Sequence, residues 1–516
     1  MADRVVLTFD IGTQSCRAIL INDHGELIGK KQIAYDPPYY SPELGWAERE
    51  ADSYYDFMCE ASSELKKKFP KAFEDIEGVS ITCIRDSIVN VDKDGKPLRP
   101  AILWPDSRKA EGSPKLGAGK KAIFGAVGLS DFVDIQYKKS YVNWIMENEP
   151  EIWEKSYKVM YLSAYLTYAL TGEFTDAVAA TVGHLPFEVK TRSWAPANAL
   201  TRPIFDVPED MLVSLTDSGD IMGKITAKAA ADSGIKEGTP VFASGSDKAC
   251  EIVGLGCVKK EQAAVSFGTM ATVSLNSPDY IEAQSFIAPY PSVVKGWYNP
   301  EQELYRGYWL VSWFKNEFCA DEALEAAKSG KIVEEVLNEG LNEIEPGCNG
   351  LFLSPSFSPD LMKPYARGGF IGLADYHTKK HMYRAVIEGI NYALMEGIRN
   401  IEKKGKFEFK ELRVAGGGSR SPEICQITAD MFGIPVVRTA THEASALGAA
   451  AATFVGLGVF DGFEQACAEM VHDTDRFEPN IENTKLYDKL FNVYKKLFPA
   501  LKPMYQELAE IYKKEK

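Results

Sequence analysis

Four short stretches of the chain combine residue types suited to handling phosphate. Near the start, "LTFDIGTQSCRAIL" (7–20) sets Gly12 and Thr13 in a turn between two apolar runs. Such a turn exposes backbone N–H groups. Thr13, Gln14 and Ser15 add side-chain donors, Arg17 supplies a cation, and a nest of this kind binds phosphate oxygens by geometry. A plain hairpin would use the same glycine, because Gly is a default turn residue. "SFGTMATV" (266–273) repeats the design with Gly268 and Thr269. Two matching Gly-Thr hairpins facing each other would clamp a polyphosphate; two unrelated hairpins are the alternative.

The third stretch, "LRVAGGGSRSPEICQITADMFG", places Gly416, Gly417, Gly418 and Ser419 after a strand holding Leu412 and Val414. A helix follows, with Ile424, Ile427, Ala429 and Met431 on its inward face. A glycine turn there lets a ligand approach the backbone and presents a helix N-terminus to negative charge, which favours nucleotide binding over a flexible loop. In the fourth, "VFASGSDKACEIVGLG", Asp247 follows a Gly-Ser turn and opens a helix. Asp247 can cap that helix. It can also accept a proton from a hydroxyl attacking a γ-phosphate, and the two roles are compatible. "GSPKLGAGKKA" imitates a Walker loop, but Pro114 and Lys121 occupy two required positions, so it reads as a solvated loop. The six His show no ligand spacing, and no Ser-His-Asp arrangement stands out.

These pieces need a frame to hold them. At 516 residues the chain is too long for one core. Its net charge of −15 argues against nucleic acid or anionic membrane as a partner, so phosphate must be handled locally. Nine Cys are spread singly with no CxxC pair, which points to a reducing compartment. The start shows no signal-peptide pattern, and a cytoplasmic protein is expected. "ASALGAAAATFVGLGVF" (444–460) is rich in Ala and Gly and reads as a buried helix packed closely on a neighbour. Residues 4–34 read as three strands joined by two turns. Tyr54, Met58, Ala61 and Leu65 mark one face of a helix. "VSITCI" and "IVNVDKDGKPL" read as another strand pair with Asp-Gly at the tight turn. "AAVSFGTMATVSL" (263–275) repeats the plan of the opening hairpin, so two related α/β halves are expected. The boundary falls near 256–262, giving regions 1–258 and 259–483. Residues 484–516 read as one or two amphipathic surface helices, interrupted at Pro499 and Pro503.

Taken together, the pieces resemble the FGGY family of carbohydrate kinases, within the actin and hexokinase-like superfamily, from about residue 4 to about residue 460. "GGFIGLADYHTKKHMYRAVIE" fits the family's C-terminal signature through Gly368, Phe370, Gly372, His381, Ala385 and Glu388. "DIGTQSCRA" is similar to its first phosphate loop, "GWAERE" to its early GWxE segment and "PLRPAILWPDSRKAE" to its WxDxR region. "GSDKA" resembles the catalytic-base motif, "SFGTMA" the second phosphate loop, "GGGSRSPEICQITAD" the adenosine loop and "EASALGAAAA" the small-residue helix. The other signature, at "YKKSYVNWIMENEPE", departs from the pattern, with Tyr141 where a Lys is usual.

The resemblance implies an α/β fold of two actin-like (ribonuclease H-like) domains with an ATP/sugar cleft between them, closing on ligand. It implies ATP-dependent phosphorylation of a sugar or polyol hydroxyl, with Asp247 as base and Mg²⁺ held by Asp10, through water, and by Asp247. Substrate contacts fall on Arg85, Asp86, Trp104 and Asp247. An Arg beside a carboxylate can grip neighbouring hydroxyls, though a surface ion pair would look the same, and Trp104 can stack on a sugar or fill the core. Xylulose kinases usually show Met-His at Arg85-Asp86, whereas glycerol and autoinducer-2 kinases show Arg-Glu. The remaining pattern leans to the xylulose branch. The expectation is therefore a ketose kinase of xylulose type, with a glycerol, polyol or autoinducer-2 kinase as alternative. A non-catalytic sugar sensor or an actin-like ATPase represents the different class. A homodimer is left open.

Overall fold

The computed structural model describes residues 4–358, 363 and 365–513. The chain forms two compact units. One takes residues up to Val258 together with Tyr290–Asn299 and Glu443–Val471, and the other takes the remainder.

In the first unit, strands β1 (Val5–Ile11), β2 (Ser15–Asn22), β3 (Leu27–Ala34), β4 (Ile76–Cys83), β5 (Ile221–Lys224) and β6 (Pro240–Phe242) form a sheet in the order β5-β6-β4-β1-β2-β3. Strand β1 is buried at every position, as a central strand covered on both faces must be. The opening three-strand reading holds, with β1–β2 and β2–β3 antiparallel. Helix α1 (Ala51–Lys68) buries Tyr54, Met58, Ala61 and Leu65, the face its spacing predicts. The expected pairing of "VSITCI" with "IVNVD" does not form. Strand β4 runs parallel to β1, whereas Ile88–Val91 joins a separate four-stranded sheet with Lys158–Tyr161 and Ala101–Ile102. The left-handed backbone at Asp86 (φ 47°) lies between them. The Asp94-Gly95 turn closes only a local bridge between Val91 and Pro97. The Walker-like segment is a loop only in part, since Ala118–Ala126 is helical.

Helix α2 (Asp247–Gly254) closes the first stretch of this unit. In the second unit, β7 (Gln262–Phe267), β8 (Ala271–Ser274), β9 (Glu301–Leu304), β10 (Glu411–Ala415), β11 (Val436–Thr439) and β12 (Asp473–Phe477) run in the order β9-β8-β7-β10-β11-β12. A central hairpin, β7–β8, is extended antiparallel by β9 on one side and by the parallel strands β10 and β11 on the other. This repeats the first sheet, where β1–β2 is extended by β3 and by β4 and β6. The weak sequence repeat is therefore a repeat of topology.

Helix α3 (Lys379–Gly405) carries the C-terminal signature and buries Val386, Ile390, Leu394 and Ile401. Its sequence runs into the core of the second unit, as a scaffold element should. Helix α4 (Pro422–Phe432) buries Ile424, Ile427, Ala429 and Met431. Helix α5 (Ala444–Gly456) returns to the first unit and packs on α2. A Cβ on Gly448 would overlap the Cys250 carbonyl oxygen, so only a small-residue helix can come so close. Helix α6 (Ile481–Lys513) runs unbroken through Pro499 and Pro503, contrary to the expected interruption. Each proline removes a helix bond, but buried Tyr487 and Phe491 before them and Tyr505 after them anchor the helix on both sides. Among the described residues no helix is long and apolar enough to cross a membrane. All nine cysteines are buried and none forms a disulfide.

Candidate functional site

The candidate site of the first unit is built on the ends of β1 and β4. Antiparallel register sets Asp10 opposite Arg17, and the Arg17 guanidinium reaches the Asp10 carboxylate at 2.6 Å. Burial pushes the Asp10 carboxyl up to about 6; Arg17 opposes that rise, while the charges of Asp247 and Glu443 add to it. Glu443, at the start of α5, stands 3.7 Å from Arg17 Nε and 2.7 Å from Lys30 Nζ. The structure thus aims Arg17 at two carboxylates. In the turn itself, Gly12 N–H donates to the Ser15 carbonyl at 3.0 Å and Gln32 donates to Ser15 Oγ at 2.9 Å. Gln14 is exposed.

Asp247 is the first residue of α2, and the cap is its neighbour. Ser246 Oγ accepts from Ala249 N–H at 3.3 Å. The capping role that the sequence allowed for Asp247 therefore falls to Ser246. Asp247 is half-buried and accepts from Lys248 N–H at 2.8 Å. Desolvation raises its carboxyl above the ordinary range, and Arg85 and Lys248 pull against that rise. A raised carboxyl holds a proton more readily, which suits a base.

A parallel bridge from Cys83 to Ser246 brings the end of β4 beside α2. Arg85 follows, with Nε 3.4 Å from Ser246 Oγ and its guanidinium 4.6 Å from the Tyr290 ring centre. Asp86 is not half of an exposed ion pair. Its carboxylate accepts from the His184 backbone N–H at 3.0 Å and meets His184 Nδ1 at 2.7 Å. Trp104 is 42% exposed, so it lines a surface and does not fill the core. Its indole N–H donates to Thr13 Oγ at 2.8 Å.

The two tryptophan motifs hold Trp104 in place. Arg108 pairs with Glu48 at 2.7 Å and Asp106 at 2.8 Å, and lies 3.8 Å over the Trp46 ring. Arg99 binds the same Glu48 at 2.6 Å. Buried Tyr141 shares its hydroxyl between the carbonyls of Trp104 and Asp106, at 3.2 and 3.1 Å. The residue that departs from the usual Lys therefore braces the Trp104 backbone. Sequence reading missed His184, Tyr290 and Glu443. Each lies far along the chain from its partner, and no spacing rule links residue 86 to 184 or residue 17 to 443.

In the second unit the structure brings the other two loops together. Gly416 has φ 85°, and a Cβ there would sit 2.7 Å from the Phe267 carbonyl group. The glycine turn is thereby pressed against the end of β7, where Gly268 and Thr269 begin the second hairpin turn. Those two residues accept from Tyr308 and Trp309 N–H at 2.9 and 3.3 Å. Ser419 Oγ donates to the Gly416 carbonyl at 2.7 Å. Only glycine fits at 418, where a Cβ would overlap the Tyr308 ring, whereas a Cβ at Gly417 would meet nothing within 4 Å. Gly417 is thus the open position of the three. Ser421 caps α4. Among the described residues no group of three or more His, Cys, Asp or Glu could hold a metal ion by itself.

The model of the FGGY family of carbohydrate kinases, N-terminal domain, matches residues 5–254, and that of its C-terminal domain matches 263–457. A xylulose kinase from Lactococcus lactis subsp. lactis is 28% identical over 518 residues, covering 98% of each chain. Ligand-bound xylulose kinase from Lactobacillus acidophilus has the same fold, with TM-score 0.83 at 20% identity over 98% of this chain and 100% of that one. Gluconate kinase from the same organism gives TM-score 0.84 at 20% identity, with the same coverage.

Proposed function

This chain belongs to the FGGY family of carbohydrate kinases and is a sugar kinase, and we propose that it transfers the γ-phosphoryl group of ATP to a hydroxyl of a ketose of the xylulose kind. The curated relative named xylulose kinase, similar over nearly the whole chain, supports the acceptor. The observation that carries the mechanism is the state of Asp247: released from capping by Ser246, half-buried, and raised above the ordinary carboxyl range.

In this reading the acceptor oxygen forms a bond to the γ-phosphorus as the bond to the β–γ bridging oxygen breaks. The hydroxyl proton passes to Asp247, and ADP departs. Arg85, Asp86 and Trp104 orient the sugar. The turn at Gly12, Thr13, Gln14 and Ser15, with Arg17 behind it, and the turn at Gly268 and Thr269 receive phosphate oxygens through N–H groups. Gly416, Gly417, Gly418 and Ser419 receive the adenosine. Positioning and charge neutralisation provide most of the catalysis in phosphoryl transfer.

Asp10 and Asp247, which feel each other's charge, suit a Mg²⁺ ion that takes its other oxygens from phosphates and water, since among the described residues no third His, Cys, Asp or Glu joins them. Bound there, Mg²⁺ would neutralise charge on the phosphates.

Coupled ADP release tests the reading across ketoses, polyols, glycerol, gluconate and the autoinducer-2 precursor. Strongest stimulation by xylulose is expected. Stimulation by glycerol or another polyol instead would follow the Arg85-Asp86 pair, the feature that leans that way. ADP release that no acceptor stimulates would leave the sensor and actin-like ATPase readings.

A further inference from the structure

Asp86 is held from four directions by one short peptide. Its backbone N–H donates to the Val182 carbonyl at 3.0 Å. One carboxylate oxygen accepts from His184 N–H at 3.0 Å and the other lies 2.7 Å from His184 Nδ1. Between those contacts sits Gly183 (φ 146°), where a Cβ would overlap the Asp86 carboxylate. Asp86 itself has φ 47°, a strained backbone for a residue with a side chain, and such strain persists only where the surroundings over-determine it.

We infer that Gly183-His184 is a clamp that sets acceptor specificity by aiming the Asp86 carboxylate, which makes His184 a positioning residue. The inference rests on the sugar-kinase reading above. A carboxylate offers about four lone-pair directions; His184 occupies one on each oxygen and fixes where the others point. A carboxylate aimed in this way accepts from adjacent hydroxyls, as on a polyol or ketose, and repels an acceptor that presents its own carboxylate. Beside it, Arg85, whose Nε lies 3.4 Å from Ser246 Oγ at the start of α2, supplies the donors that complete a wall suited to a neutral polyhydroxylated substrate.

Two conservative substitutions separate this role from a general structural one. In His184→Asn the amide nitrogen can stand where Nδ1 stood, whereas in His184→Gln it lies farther out and misses Asp86. The expected result is an acceptor KM raised about tenfold in His184→Gln, with kcat and the KM for ATP little changed. His184→Asn should stay near wild type, and gluconate should gain as an acceptor relative to the neutral sugar in His184→Gln. In an Asp86→Asn background, His184→Gln should add nothing. The inference is overturned if His184→Gln leaves the acceptor KM unchanged, or if both variants lose kcat and melting temperature together. It is equally overturned if the His184→Gln effect persists in full without the Asp86 carboxylate. A wild-type protein that no acceptor stimulates would defeat the sugar-kinase reading itself, before any variant is compared.

Discussion

The indole N–H of Trp104 donates to the Thr13 hydroxyl at 2.8 Å across 91 residues of sequence. One bond thereby joins the wall proposed for the sugar to the turn proposed for phosphate. Trp104→Phe keeps an apolar face and removes the bond. Its expected cost is about 1 kcal/mol, or about fivefold in kcat/KM, for a single neutral hydrogen bond. Thr13→Val should match it, and the double variant should be no worse than either single one. Fully additive losses in steady-state kinetics would show that the bond does not couple the two.

Asp247→Asn keeps the shape of the side chain and removes its ability to take a proton. A fall in kcat of about a thousandfold is expected, within the range of general-base catalysis. Binding of a fluorescent ATP analogue should survive. Undiminished turnover would remove Asp247 from the mechanism.

Asp176 is a second buried carboxyl. It accepts from Ser163 Oγ at 2.8 Å, and burial pushes it from 3.8 to about 7. Between those values the folded protein keeps a proton that the unfolded chain has released. The stabilisation is therefore present below about pH 4 and fades as the pH rises through about 7, a change worth up to about 4 kcal/mol. Asp176→Asn cannot titrate. Melting curves from pH 5 to pH 8 should show the wild type losing stability relative to that variant, and parallel curves would contradict the assignment.

The glycine turn of the second unit separates packing from binding. Gly417→Ala meets nothing within 4 Å, so it should melt like wild type. A raised KM for ATP in that variant would place the nucleotide against this backbone. Gly418→Ala must displace the Tyr308 ring, and a loss of about 1–3 kcal/mol in stability is expected from overpacking. An unaltered melting temperature there would contradict the close approach.

Local patterns in the sequence were enough for whatever depends on a few neighbouring residues. The opening strands, the buried face of α1, the glycine turn before α4 and the small-residue helix α5 all follow from alternation, helical spacing and residue size. The paired Gly-Thr hairpins were legible because each lies within some ten residues of its own strand partners. Tertiary structure decided what depends on long-range approach. It kept "VSITCI" and "IVNVD" in different sheets, carried α6 through two prolines by burying tyrosines on either side of them, and gave the cap of α2 to Ser246, not Asp247. It also set His184 on Asp86 and Glu443 on Arg17. Side chains about 100 and about 430 residues apart meet only when strands and loops from distant parts of the chain pack together, and no local period in the sequence records such a meeting.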